Sequence, residues 1–178
     1  MTEPKEPAGL PANGLREVFE TFIAGTAEDV WREVTKTDAV QRPMFNMRMD
    51  TELKVGAPVR MRSANGKYTG FVGEVLEVDP PRRFAFTFKF TNYDDPPSRI
   101  IYEIEPVEGG VTFRMISDRM TPDTKSTKAM TQGGQLIIKG LKSVIEHGDV
   151  PWSTRLLYAM FKVMEPFSPK RLRSENFP

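Results

Sequence analysis

The chain has no cysteine and a single histidine, His147. Disulfides, thiolate nucleophiles and cysteine-ligated metals are thereby excluded, and one histidine cannot build a histidine-based zinc site. No HExxH, GxGxxG or GxxxxGK[ST] pattern occurs, so metalloprotease, dinucleotide-fold and P-loop chemistries have no anchor. Charge of one sign is missing too: 25 Lys and Arg face 24 Asp and Glu, a balance that offers no field to nucleic acid. No stretch approaches the roughly 20 apolar residues of a membrane span, and the opening MTEPKEPAGLPANG lacks the apolar core of a signal peptide. The expectation is a cytoplasmic protein with no nucleic-acid partner, no integral membrane association and no cofactor. Its 178 residues, 39% hydrophobic, suit one domain able to bury roughly 70% of its unfolded surface.

What is present is alternation. In RFAFTFKFT, Phe84, Phe86, Phe88 and Phe90 recur at every second position, which places four rings on one face of a strand. Residues 16 to 24 also read as a strand. Thr26 follows as an N-cap, with Glu28 and Asp29 in the first turn of a short helix that buries Val30, Trp31 and Val34. After a looser segment around Gln41 to Met44, apolar runs are separated by turn signals: Asn65-Gly66, Pro80-Pro81, Asp94-Asp95-Pro96-Pro97 and Gly109-Gly110. The Asn65-Gly66 pair is expected to supply both positive φ angles of a tight hairpin. Connections this short make neighbouring strands antiparallel.

A long helix is predicted from Thr121-Pro122-Asp123 to His147-Gly148, with Met130, Ile137, Leu141 and Val144 as its buried stripe, widened by Ile138 and Ile145. A sheet with one apolar face must cover it, and only this helix has the stripe to do so. The expected organisation is a mobile leader over 1–14, a domain over 15–148 and an amphipathic helical extension over 149–178, whose face would comprise Trp152, Leu156, Met160, Val163 and Phe167.

The element order resembles the START-like (SRPBCC) superfamily. The segments AGTAEDVWREVT, GEVLEVDPPRRFAFTF and QLIIKGLKSVIEHG are more specifically similar to the branch named after activators of the heat-shock-protein ATPase, often grouped with polyketide cyclases. The similarity covers about residues 16 to 148. It implies an α+β helix-grip fold: a curved antiparallel sheet of six or seven strands wrapped around the long C-terminal helix, enclosing an apolar cavity. Many relatives carry Gly-Trp where this chain has Gly133-Gly134. The missing indole implies a vacancy at Gly134.

Extending the inward alternation gives a candidate lining of Met61, Phe86, Phe88, Tyr102, Ile104, Phe113, Met115 and Ser117 from the sheet. The helix would add Met130, Gly134, Gln135 and Ile138. Phe86 and Phe88 are expected to border open space, with Phe84 and Phe90 closing the ends of the core. Tyr102, Ser117 and Gln135 are the polar candidates, each able to orient a ligand by a hydrogen bond. No residue is assigned a catalytic role: His147 reads as a helix cap, and the pairs Asp94-Asp95 and Glu103 with Glu105 as solvated carboxylates.

The expected function is non-catalytic binding of an apolar small molecule or lipid-like ligand. A cyclase or dehydratase using the same cavity and a co-chaperone-like ATPase activator are the alternatives. The extension is expected to pack on its own domain or to form a homodimer. Lys170, Arg171 and Arg173 are too few to favour an anionic membrane surface.

Overall fold

A computed structural model describes residues 9–178; the first eight residues of the expected leader lie outside this range. The elements run β1 (Leu15–Ile23), α1 (Ala27–Thr35), β2 (Arg48–Asp50), β3 (Pro58–Arg62), β4 (Thr69–Asp79), β5 (Arg83–Phe90), β6 (Ser98–Val107), β7 (Gly110–Met120), α2 (Lys125–His147) and α3 (Trp152–Met164). Three short 3₁₀ turns follow as far as Asn176. The strands form one antiparallel sheet in the order β1-β7-β6-β5-β4-β3-β2, and α2 packs chiefly on β1, with further contact to β7. This is an α+β helix-grip fold.

Local chemistry accounts for the element ends. The Thr26 hydroxyl accepts from Asp29 N at 3.1 Å, which caps α1. α2 begins three residues later than the Thr121-Pro122-Asp123 signal suggests. Asp123 takes a positive φ of 59°, so the cap falls to Thr124, whose hydroxyl accepts from Thr127 N at 3.1 Å. Asp95 accepts from Ser126 N at 2.8 Å, tying the β5–β6 connection to the start of α2; it is not a merely solvated carboxylate. At the other end Gly148 adopts a left-handed φ of 81°, the usual helix-ending conformation.

The β3–β4 turn also departs from expectation. Only Gly66 has a positive φ, 73°, while Asn65 turns its side-chain carbonyl to accept from Lys67 N at 3.0 Å. An Asx-type hydrogen bond replaces the second left-handed residue.

β4 looks ambiguous in sequence because it carries a bulge. Val75 pairs with Phe86 and Val78 with Phe84, with a register shift between Val75 and Glu77. Two residues three apart thus share the concave face, and simple alternation breaks. Leu76 turns outward onto Ala85, Ile101 and Ile116, a small apolar cluster on the convex side. The convex carboxylates are ion-paired: Glu103 with Arg83, and Glu105 with Arg114 at 2.8 Å. Residues 9–14 are likewise engaged, with Arg119 donating to the carbonyls of Pro11 and Ala12.

The seat of α2 on β1 depends on Gly134. A Cβ at this position would lie 2.5 Å from Phe19 Cζ, and Phe19 itself is only 3% exposed. The space at Gly134 is therefore filled by an aromatic ring from β1, and the vacancy expected from the missing indole does not exist. At Gly133 a Cβ would meet the Phe45 ring at 3.6 Å, an ordinary contact. The two glycines should accordingly respond differently to alanine. Gly134→Ala forces Phe19 to move and should cost about 1–3 kcal/mol net, lowering Tm by roughly 2–4 °C per kcal/mol. Gly133→Ala removes a glycine from a helix interior and should raise stability by up to about 1 kcal/mol. Thermal unfolding of the two variants checks the contrast, and equal effects would refute it.

Candidate ligand site

Because α2 leans on β1 and β7, the β3–β5 end of the concave face is covered by other parts of the chain. The segment from Gln41 to Met47 folds over it. This segment is closed at its base by Gln41 N donating to Met47 O at 2.6 Å. The buried Gln41 amide anchors it by donating to Val34 O at 3.2 Å and Lys36 O at 3.0 Å.

Between this segment, Ile137 of α2 and strands β3–β5 lies a cavity of about 250 Å³. Its walls include Met44, Met47, Met61, Phe71, Phe88 and Phe90. Phe71 and Phe88 are in ring contact, with centroids 4.4 Å apart. Methionine and aromatic side chains dominate, a lining suited to apolar ligands of varied shape.

The C-terminal residues form the roof. Leu172 lines the cavity. Beside it, Arg171 donates to Thr91 O at 3.1 Å and pairs with Asp94 at 3.1 Å. On the other side Ser174 N donates to Lys67 O at 2.9 Å, and Arg62 donates to Phe177 O at 3.1 Å. The tail thus straps the β5–β6 connection to the β3–β4 hairpin. Two of its basic residues, Arg171 and Arg173, are turned to protein partners, Arg173 pairing with Glu175 at 3.6 Å.

A second depression, a groove of about 610 Å³ between α3 and the β3–β4 turn, shares Phe45 and Met47 with the cavity. A third, of about 600 Å³, lies between the start of α1 and the Pro81-Arg82 turn and is open to solvent.

The residues picked from the sequence distribute unevenly over this arrangement. Met61 and Phe88 lie on the cavity wall. Phe86, Tyr102, Ile104 and Phe113 are packed in the core, as are Met115, Met130 and Ile138. The open space is bordered by Phe88 and Phe90, whereas Phe84 and Phe86 are fully buried. That is a shift of one inward position along β5 from the expectation. Gln135 is exposed on the outer side of α2, because it follows Gly134, whose backbone faces the sheet. Tyr102 sits one layer behind the cavity and donates to Met44 Sδ at 3.8 Å. Burial pushes its hydroxyl well above the ordinary tyrosine range, so it stays protonated.

Met44, Phe45, Met47, Phe71, Phe90 and Leu172 were not among the sequence candidates. A sequence signal existed for some of them: Met44, Met47 and Met49 are closely spaced, and Phe90 belongs to the same alternation as Phe88. Phe71 is obscured by the β4 bulge. Leu172 lies outside every periodic segment.

The fold and the cavity behind its strapped mouth define a START-like helix-grip protein. The chain belongs to the family described as Activator of Hsp90 ATPase homolog 1-like protein, whose model matches residues 24–146. No curated protein matches the chain. Among solved structures it is similar to protein MLL2253 from Mesorhizobium loti, at 21% identity and TM-score 0.63, covering 76% of this chain and 100% of that one. DynU16, a protein of the dynemicin biosynthetic locus, aligns at 18% identity and TM-score 0.61 over 76% of this chain and 48% of its own. The Aha1 dimer from Colwellia psychrerythraea aligns at 16% identity and TM-score 0.59, covering 75% and 98% respectively. At these identities the likeness is one of fold. Residues beyond 146, including α3 and the strap, lie outside the family match.

Ser117 is completely buried, and its Oγ has no hydrogen-bond partner. A buried hydroxyl with no partner lowers stability by its lost hydration. Ser117→Ala should therefore raise stability by about 1 kcal/mol, measured by urea unfolding. A loss of stability would mean that the hydroxyl is satisfied in solution.

Proposed function

We propose that the protein binds an apolar small molecule in the cavity roofed by Leu172 and carries out no chemistry on it. The observation that carries this reading is the lining, in which Met44, Met47, Met61, Phe71, Phe88 and Phe90 surround the space. Burying apolar ligand surface there gains roughly 25 cal/mol per Å². Among the described residues, no carboxylate, lysine or histidine lines this cavity. The cyclase reading needs Tyr102 or Ser117 at the ligand, and neither is on the wall. A chaperone-activating role draws on the family description alone.

N-phenyl-1-naphthylamine, whose fluorescence rises in apolar surroundings, should bind saturably. Ile137→Trp puts an indole into the cavity and should weaken binding about tenfold or more, the equivalent of roughly 1.4 kcal/mol. Native mass spectrometry of the purified protein adds a direct search for a co-purified apolar ligand. Absence of saturable fluorescence, or undiminished binding by a folded Ile137→Trp variant, would sink the proposal.

A second reading concerns α3 and the turn after it. Trp152, Leu156, Met160, Val163 and Phe167 are each more than half exposed, so the stripe does not pack on its own domain. Apolar patches of this kind mark interfaces. A second copy presents the same stripe, so a twofold contact covers both at once; the Colwellia neighbour is a dimer. Sedimentation velocity should show a dimer that Leu156→Glu combined with Met160→Glu dissociates. A wild-type protein that remains monomeric at high concentration refutes this reading.

A further inference from the structure

The cavity of about 250 Å³ is smaller than the roughly 300–1,000 Å³ of most ligand pockets, yet it is separated from a groove of about 610 Å³ by little more than the side chains of Phe45 and Met47. The divider is unusual. Phe45 and Asn46 both have positive φ, 54° and 57°, a conformation that costs of order 1–3 kcal/mol for such residues. The Phe45 ring is placed by neighbouring rings and by the bare backbone of Gly133: Tyr158 and Phe161 lie at centroid distances of 6.0 and 6.4 Å, and a Cβ on Gly133 would meet the ring at 3.6 Å. Ring contacts of this kind contribute about 0.5–1.5 kcal/mol each, whereas the backbone of the segment is hydrogen-bonded: Gln41 anchors its base, Met44 N donates to Gln41 O and Met47 N to Met44 O, each at 3.0 Å, and the Tyr158 hydroxyl donates to Arg42 O at 2.8 Å. The Phe45 ring can therefore change rotamer while the backbone of the segment stays fixed.

The groove on the far side of Phe45 has a different chemistry. Ser63, Asn65, Tyr68, Lys162 and Glu165 line it. One of them is unsatisfied: Glu165 Oε1 is buried with no hydrogen-bond partner. A carboxylate oxygen in that position seeks a donor.

We infer that cavity and groove are two halves of one site, divided by Phe45, that takes a single-chain amphiphile. Its alkyl chain passes Phe45 into the Met- and Phe-lined chamber. Its head, an alcohol, glycerol or amine, donates a hydrogen bond to Glu165. This inference rests on the inner cavity being a ligand site and specifies what that ligand is. It gives the extension beyond the family match a role in recognition, since Tyr158, Phe161, Lys162 and Glu165 all belong to α3 or the turn that follows it.

The test is displacement of N-phenyl-1-naphthylamine by 1-monooctanoylglycerol and 1-monomyristoylglycerol, each below its micelle concentration. The expected result is that the longer chain competes more strongly. Glu165→Leu should weaken both glycerides about tenfold or more, as for loss of a hydrogen bond to a charged group, while leaving the naphthylamine itself bound as before. Phe45→Ala, checked by circular dichroism for an intact fold, should speed association of the longer glyceride; Phe45→Leu serves if the alanine variant does not fold. Naphthylamine binding that responds to Ile137→Trp, combined with glyceride competition indifferent to chain length and to Glu165→Leu, would overturn the two-part site while leaving the inner cavity a binding site. No binding of the naphthylamine or of either glyceride would overturn both.

Discussion

The contact between the Phe19 ring and the backbone of α2 at Gly134 sets the position of the long helix, and most of the remaining architecture follows from it. With no side chain at Gly134, α2 comes down on β1 until an added Cβ would overlap the ring. A helix seated there covers β1 and β7. It cannot also cover β3–β5, because one helix is roughly 10 Å wide and neighbouring strands are about 4.8 Å apart. The uncovered part of the concave face must be closed by something else. The Gln41–Met47 segment, Leu172 and the strap do so, and the cavity is the space these irregular pieces leave.

The composition of that space follows from the strands beneath it. β5 contributes its rings on the concave side, and the β4 bulge brings Val75 and Val78 to that side as well. Upstream of the bulge, Phe71 stacks on Phe86 with an interplanar angle of 11° and meets Phe88 at 4.4 Å. The result is a graded wall, with Phe84 and Phe86 in solid core and Phe88 and Phe90 at the cavity. Met44 and Met47 fill the irregular gap opposite, next to Met61 of β3. Unbranched thioether side chains suit a surface that no regular element supplies.

Features fixed by local periodicity were legible in the sequence: the β5 alternation, the Thr26 cap, the α2 stripe and the helix end at Gly148. Together with the order of elements they sufficed for the fold. The cavity was less legible because its position depends on where α2 sits. That is a tertiary contact between Gly134 and a ring on β1, 115 residues earlier. From sequence, a glycine opposite a sheet looks the same whether it leaves a void or admits a neighbour. Alternation identified the inward faces of β6 and β7, yet inward meant packed core for Tyr102, Ile104, Phe113 and Met115. Of the walls missed by sequence reasoning, Met44, Phe45, Met47 and Leu172 come from a loop and from the tail, where no periodicity exists to be read, while Phe71 and Phe90 lie on β4 and β5.

The part of the chain outside the family match is the part that closes the site. Residues 24–146 supply every wall of the cavity except Leu172, which comes from the strap, and α3 forms one side of the neighbouring groove. The strap is held by contacts that are weak one at a time. The Arg171–Asp94 pair has Asp94 93% exposed, and an ion pair in that setting contributes little. The backbone hydrogen bond from Ser174 N lies at the edge of a hairpin turn. Segments secured in this way open at a small fraction of the free energy of global unfolding. On the other side of the cavity the Phe45 ring is placed by contacts with Tyr158 and Phe161. The sheet and helix thus carry a chamber whose remaining two walls are built from irregular structure. That division of labour keeps the core that Gly134 and Phe19 hold together separate from the irregular walls of the cavity.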